Sequence, residues 1–267
     1  MKHGTPLNAV RAFANNALEK GRDRWSGPKT PLFADGIHVK SGKPVEWMHQ
    51  GKKHVVSNLA SQQNFLRTLT GLTRLTGDER YALAAKDAVA YMFEHYRAPC
   101  GLLYWGGHTF IDLNTLDVVP IEAQSMIEPE SGKHTRTHPY GGMEIKMHLP
   151  FYELMFEVDF EATRRFIRAY WNADLMDWRR LELNRHAPYD KPTGALWDSP
   201  WDDPEPFYES TGHASTMPLT DLGWAAVSLH KATGGREHSH SWARRIASML
   251  RKARHPETGL GAAKFTF

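Results

Sequence analysis

Apolar residues recur at helical spacing along most of the chain. From Val55 to Thr76, Leu59, Phe65, Leu66, Leu69, Leu72 and Leu75 keep the three-and-four rhythm of one helix face, which predicts a helix there. Asp78 stands where an N-cap belongs, and Tyr81, Ala84, Ala85, Ala88, Val89 and Met92 trace the buried stripe of a second helix behind it. A further helix is expected after Asp159, with Phe166, Ile167, Tyr170 and Ala173 on its buried face. Leu219 to Arg254 reads as two helices joined at Thr233-Gly234-Gly235. Strand signals are few. Short β pieces are expected around Leu102–Tyr104 and Phe110–Leu113, where apolar residues border glycines, and nothing predicts a large sheet.

Part of this pattern repeats. Leu72-x-x-x-Thr76-Gly77 returns as Leu229-x-x-x-Thr233-Gly234, an offset of 157 residues at which Arg97 meets Arg254 and Pro99 meets Pro256. One residue of slip then sets Gly101-Leu102 on Gly259-Leu260. The stripe Tyr81, Ala85, Val89 and Met92 falls opposite His238, Trp242, Ile246 and Met249. A helical hairpin followed by a glycine-bearing loop is the unit of an α/α toroid, in which each hairpin buries its face against its neighbours. The expectation is therefore an all-α chain, a single toroidal domain over residues 1–267 with short β pieces in its loops. Gly101 precedes His108 by seven residues, and the same step from Gly259 reaches 266, the last residue but one. A ring closed by so few hairpins is not expected. The chain reads instead as the first part of a larger toroid, incomplete or open, or as one closed by self-association.

At 267 residues and 30.4 kDa the chain is long enough for one large domain or two small ones. A 41% hydrophobic and 24% charged composition is that of a globule rather than a disordered chain. The single cysteine, Cys100, rules out an internal disulfide and a zinc cluster of this chain's own thiolates. No run approaches the ~20 apolar residues of a membrane span, so no membrane partner is expected. The net charge of +3 is too mild to point to nucleic acid. Met1 to Pro6 lacks an apolar leader, which makes the cytoplasm the expected address. Fifteen histidines invite a search for ligands.

Three candidates stand beside loop signals: His108 after Trp105-Gly106-Gly107, Glu144 after Gly141-Gly142-Met143, and His186 in Asn184-Arg185-His186. Two imidazoles and a carboxylate suit a borderline divalent ion such as manganese, iron, nickel or zinc, with coordination positions left open. Among so many histidines the spacing alone does not single out this triple. His134 and His138 are also four apart, in a stretch with no helical stripe. Glu144 and His148 share that spacing, so His148 is a ligand or a group that orients Glu144. Tyr104 and Trp105 read equally as core or as a platform for a sugar ring. Trp171, Trp224 and Trp242 sit in helical patterns and read as packing.

The segments Gly21-Arg22-Asp23-Arg24-Trp25-Ser26-Gly27, Thr30-Pro31-Leu32-Phe33-Ala34-Asp35-Gly36 and Ser57-Asn58-Leu59-Ala60-Ser61-Gln62-Gln63 resemble the opening of family 2 polysaccharide lyases. Met143-Glu144-Ile145-Lys146, Leu149-Pro150-Phe151-Tyr152-Glu153, Phe166-Ile167 through Trp178, and Asn184-Arg185-His186 carry the likeness along most of the chain. Those enzymes are pectate lyases on a toroid of seven hairpins, and they are about twice as long. The resemblance implies a divalent metal, manganese above all, held by His108, Glu144 and His186, with Arg185 as the base. It implies an acidic polysaccharide or oligogalacturonide as substrate, cleaved by β-elimination to 4,5-unsaturated products. Arg24, Trp105 and Lys146 are its candidate substrate contacts, and Arg22 and Arg179 are further cations of the same kind. Two rival readings remain. A glycoside hydrolase on a related ring would use two of Asp198, Asp202, Asp203 and Glu209, and a non-catalytic carbohydrate-binding protein would use none.

Overall fold

The computed structural model of the chain describes residues 5–121, 126–127, 134–135, 142–145, 148–177, 182–183, 187–189, 197, 216–236 and 239–261. These belong to two compact units, residues 1–97 with 104–140 and residues 98–103 with 141–267. Among the described residues no helix is long and apolar enough to cross a membrane.

The first unit opens with α1 (Pro6–Asn16), whose N-cap Thr5 accepts from the Asn8 amide, and which passes into a π-helical turn over Ala17–Gly21. Then come β1 (Glu46–His49), β2 (Lys52–Ser57), α2 (Gln63–Thr76) and α3 (Glu79–His95). After them lie β3 (Thr109–Asp112), β4 (Val118–Pro120), β5 (Met126–Ile127) and β6 (His134–Thr135). Strands β1 to β4 form one four-stranded antiparallel sheet in chain order, with Val56 opposite Asp112 and Ile111 opposite Val118.

That sheet corrects the all-α expectation. The chain is a mixed helix and sheet protein in which helix predominates. Its hairpin turns at Gln50-Gly51, whose φ values of 50° and 75° are those of the tight turn that matches strand twist. The β-branched pair Val55-Val56 continues β2 instead of starting a helix, and α2 begins only at Gln63. Leu75, counted on the apolar stripe, is 73% exposed. The β piece expected at Phe110–Leu113 is β3.

The second unit runs β7 (Gly142–Met143), α4 (Tyr152–Val158), α5 (Phe160–Asp174), β8 (Leu175–Asp177), β9 (Glu182–Leu183), β10 (Ala187–Pro188), α6 (Thr216–Ala232) and α7 (Ser239–Lys252). Asp159 caps α5 by accepting from the Ala162 amide at 2.8 Å. The rings of Trp171, Trp197 and Trp242 are all buried and meet with centroids 4.8–5.9 Å apart, so Trp171 and Trp242 are packing residues as their pattern implied.

The hairpin repeat is physical. Thr76 Oγ1 donates to Leu72 O at 2.7 Å, and Thr233 Oγ1 donates to Leu229 O at 2.9 Å. Gly77 and Gly234 follow with φ of 72° and 62°, the left-handed region where glycine has no Cβ penalty. The loops beyond match as well: Ala98 N donates to Leu102 O, and His255 N donates to Leu260 O, one residue longer. Buried stripes Tyr81, Ala85, Val89, Met92 and Trp242, Ile246, Met249 occupy corresponding faces of α3 and α7. His238 lies outside the described residues.

Candidate functional site

His108 sits in the first unit, on the loop that feeds β3. Its amide donates to Gly106 O at 3.0 Å and its carbonyl accepts from Ile121 N at 2.7 Å, so its backbone is fixed from both sides. The loop is clamped from α2's side by Asn58. Its Nδ2 donates to Thr109 O, its Oδ1 accepts from Ala60 N, and Ala60 N also reaches Trp105 O at 2.9 Å. A Cβ on Gly106, where φ is 129°, would come within 2.1 Å of Asn58 Oδ1. Only glycine lets the backbone pass that close. His108 itself is half-buried. Trp105 is wholly buried, so of its two readings this position takes packing.

Glu144 sits in the second unit, directly after β7. β7 pairs antiparallel with β10, Met143 opposite Ala187 and Gly142 opposite Pro188. The ladder ties the backbone just before Glu144 to the backbone just after residue 186. Glu144 is 3% exposed. Two more acids share its surroundings, Asp174 at the end of α5 and Asp221 in α6. Burial, then the Glu144 charge, pushes the Asp221 carboxyl up to about 7. Asp174 is driven well above the usual carboxylate range by burial first, against a hydrogen bond from Tyr170, with the charges of Asp221 and Glu144 adding to the rise. Burial likewise lifts the phenols of Tyr152 and Tyr170. Among the described atoms, Asp174 Oδ1 and Tyr152 Oη are buried without a hydrogen-bond partner. Neither acid stood out in the sequence, because an Asp at a helix end or inside a helix reads as a cap or a surface charge. No sequence signal marks their burial.

Among the described residues no group of three His, Cys, Asp or Glu side chains converges as a metal site. Arg185, His186 and Lys146 lie outside the described residues, as do His138, Arg179, Asp198, Asp202, Asp203 and Glu209. Arg24 is exposed in the first unit and its guanidinium donates to Glu19 O. Arg22 pairs with Asp87 at 3.2 Å.

Set beside known proteins, the chain falls among the polysaccharide lyases. It belongs to the family described as periplasmic pectate lyase, whose pattern matches residues 30–267. One relative, the pectate disaccharide-lyase of Dickeya dadantii (strain 3937), is 34% identical over 278 aligned positions, which cover 97% of this chain and 46% of that protein. The chain thus spans about half the length of that curated relative. The family's periplasmic description overturns the cytoplasmic address expected from the N-terminal residues.

Proposed function

We propose that the chain carries the proton-abstracting and metal-holding part of a pectate lyase, which cleaves polygalacturonate by β-elimination and leaves 4,5-unsaturated ends. The observation that supports this most is the β7–β10 ladder. Its paired residues Met143 and Ala187 are the chain neighbours of Glu144 and His186, 42 residues apart in sequence. The resemblance assigns both to one ion, together with His108.

Glu144 fits a cation. It is a buried carboxylate whose negative charge raises the pKa values of two neighbouring acids, a field that a divalent ion would relieve. In this reading His108, Glu144 and His186 would hold the ion, manganese by preference. When bound, such an ion neutralises the substrate carboxylate and the charge that spreads onto it. Arg185 takes the C5 proton on a guanidine nitrogen. The C5–H electron pair becomes the C4–C5 double bond, the C4–O4 bond breaks, and O4 leaves with its electrons to be protonated by water. Arginine's ordinary pKa above ~12 makes the neutral base scarce, and a nearby cation with partial desolvation enlarges that fraction. The reading therefore entails an alkaline optimum. Arg24 and Lys146 are kept as contacts for further uronate carboxylates, while Trp105, wholly buried, is left to packing.

The test incubates the 267-residue chain with polygalacturonate and follows the ultraviolet absorbance of unsaturated uronides. Product that forms with manganese, stops with EDTA and is lost in Arg185→Lys is the expected result. Hydrolysis indifferent to chelator would favour the glycoside hydrolase. Binding without product under any metal would favour the non-catalytic reading.

A further inference from the structure

The first unit contains a pocket of about 360 Å³ that the lyase reading does not use, within the size range of small-ligand sites. Its apolar walls include Phe13, Phe33 and Phe65. Phe65 meets the other two edge-to-face, at 5.9 Å and 86° from Phe13 and at 5.1 Å and 84° from Phe33. Phe13, on α1, is 57% exposed at the rim. Among the described residues that line it, Asp35 alone is charged. Solvent reaches Asp35 through the mouth, although protein crowds it on its other sides.

The polar hydrogens around Asp35 are already committed. Its Oδ1 accepts from Asn58 N at 2.9 Å and from Gln62 Nε2 at 2.7 Å. The other Gln62 N–H goes to Phe33 O at 2.8 Å. The Ser61 hydroxyl hydrogen is shared between Asn58 O and the Asp35 carboxylate. Among the described polar side chains of the lining, what is left to offer, apart from the Asn16 amide, is acceptors: the remaining lone pairs of Asp35 and the carbonyl of Gln62. Among the described residues no basic side chain lines it. The Arg22 guanidinium lies over Phe33 at 5.7 Å and is held by Asp87.

We propose that this pocket binds a protonated organic amine, with the ammonium group on Asp35 and the carbon skeleton among Phe13, Phe33 and Phe65. A fixed anion excludes a uronate, whose carboxylate would meet Asp35 as a like charge. A neutral sugar would find acceptors but few donors, and its hydroxyl oxygens would be left unsatisfied. An ammonium ion supplies donors and charge together, and Phe13, Phe33 and Phe65 give its carbon skeleton an apolar wall. Asp35 is pushed up to about 6 by the protein around it, against the pull of its hydrogen bonds. Amine binding should accordingly weaken as acid protonates it.

Calorimetric titration of the full chain with benzylammonium tests this, with benzyl alcohol as the neutral isostere and galacturonate as the anion. The expected result is saturable benzylammonium binding at pH about 8 that weakens toward pH about 5, and is weaker by about tenfold or more for Asp35→Asn. Phe13→Ala, at the exposed rim, should weaken it as well without disturbing the fold. Absence of saturable binding, equal binding of the alcohol, or binding indifferent both to Asp35→Asn and to pH would overturn the proposal. None of these readouts depends on lyase activity, so this inference and the lyase reading fail separately.

Discussion

Met143 and Ala187 stand opposite each other in the β7–β10 ladder, each next in the chain to a residue that the resemblance marks as a metal ligand, Glu144 and His186. Two side chains far apart in sequence thus have backbone neighbours fixed by one pair of short strands. Glu144→Gln keeps the shape and removes the charge. It is expected to weaken manganese binding by about 100-fold or more, since even partners outside a metal's own ligand set are worth 10–100-fold. Electron paramagnetic resonance of free manganese during titration measures it. Unchanged affinity would remove Glu144 from the ligand set.

Gly106 and Asn58 make the tightest approach in the His108 loop. A methyl group at Gly106 would press on Asn58 Oδ1 and would need an L-residue at φ 129°. Gly106→Ala should therefore cost about 2–4 kcal/mol, the sum of backbone strain and overpacking. Urea unfolding followed by tryptophan fluorescence checks the figure. In the double variant with Asn58→Ser the overpacking share should be partly recovered, leaving the strain.

The hairpins were legible because their signals are local. A threonine that hydrogen-bonds back one turn and a glycine that ends the helix occupy adjacent positions, so Leu72-x-x-x-Thr76-Gly77 and Leu229-x-x-x-Thr233-Gly234 carry the same short signature. The sheet was not legible, because what holds Val56 is Asp112 and what holds Ile111 is Ser57, more than fifty residues away. Its one local sign, Gln50-Gly51 between alternating residues, was overshadowed by the apolar rhythm running from Val55 into α2. Trp105 was open between core and sugar platform for a related reason. An aromatic next to two glycines has the same sequence whether its ring faces solvent or lies beneath the loop.

The sheet also carries a buried polar pair. His54 Nδ1 lies 2.7 Å from Asp112 Oδ2, and Asp112 Oδ1 accepts from Val55 N, Asn114 N and Asn114 Nδ2. Both residues are less than a tenth exposed. Asp112→Ala would strip several partners at once and is expected to cost about 3–5 kcal/mol. His54→Ala in that background should cost much less than it does alone, because its partner is already gone. A double-mutant cycle on chemical unfolding provides the measurement.

The acids around Glu144 contribute to stability with a pH dependence opposite to that of a salt-bridged carboxylate. Asp221 has an ordinary value of 3.8 and stands at about 7 in the folded chain, by burial and by the Glu144 charge. Between those values the folded chain holds a proton that the unfolded chain has released. The contribution of Asp221 to stability then falls as pH rises from about 4 to about 7, and its full cost is felt above that window. Asp174, raised by burial, acts with the same sign. Asp221→Asn removes the charge that is expensive to bury. It should stabilise the protein by about 2–4 kcal/mol at pH about 8 in EDTA, and by little at pH about 4, where the wild-type carboxyl is already protonated in the folded state. Thermal unfolding of both proteins across this range, chelator present throughout, makes the comparison. A wild-type curve that rises with pH over the same interval, parallel to that of the variant, would mean that Asp221 ionises freely and that Glu144 exerts no such field.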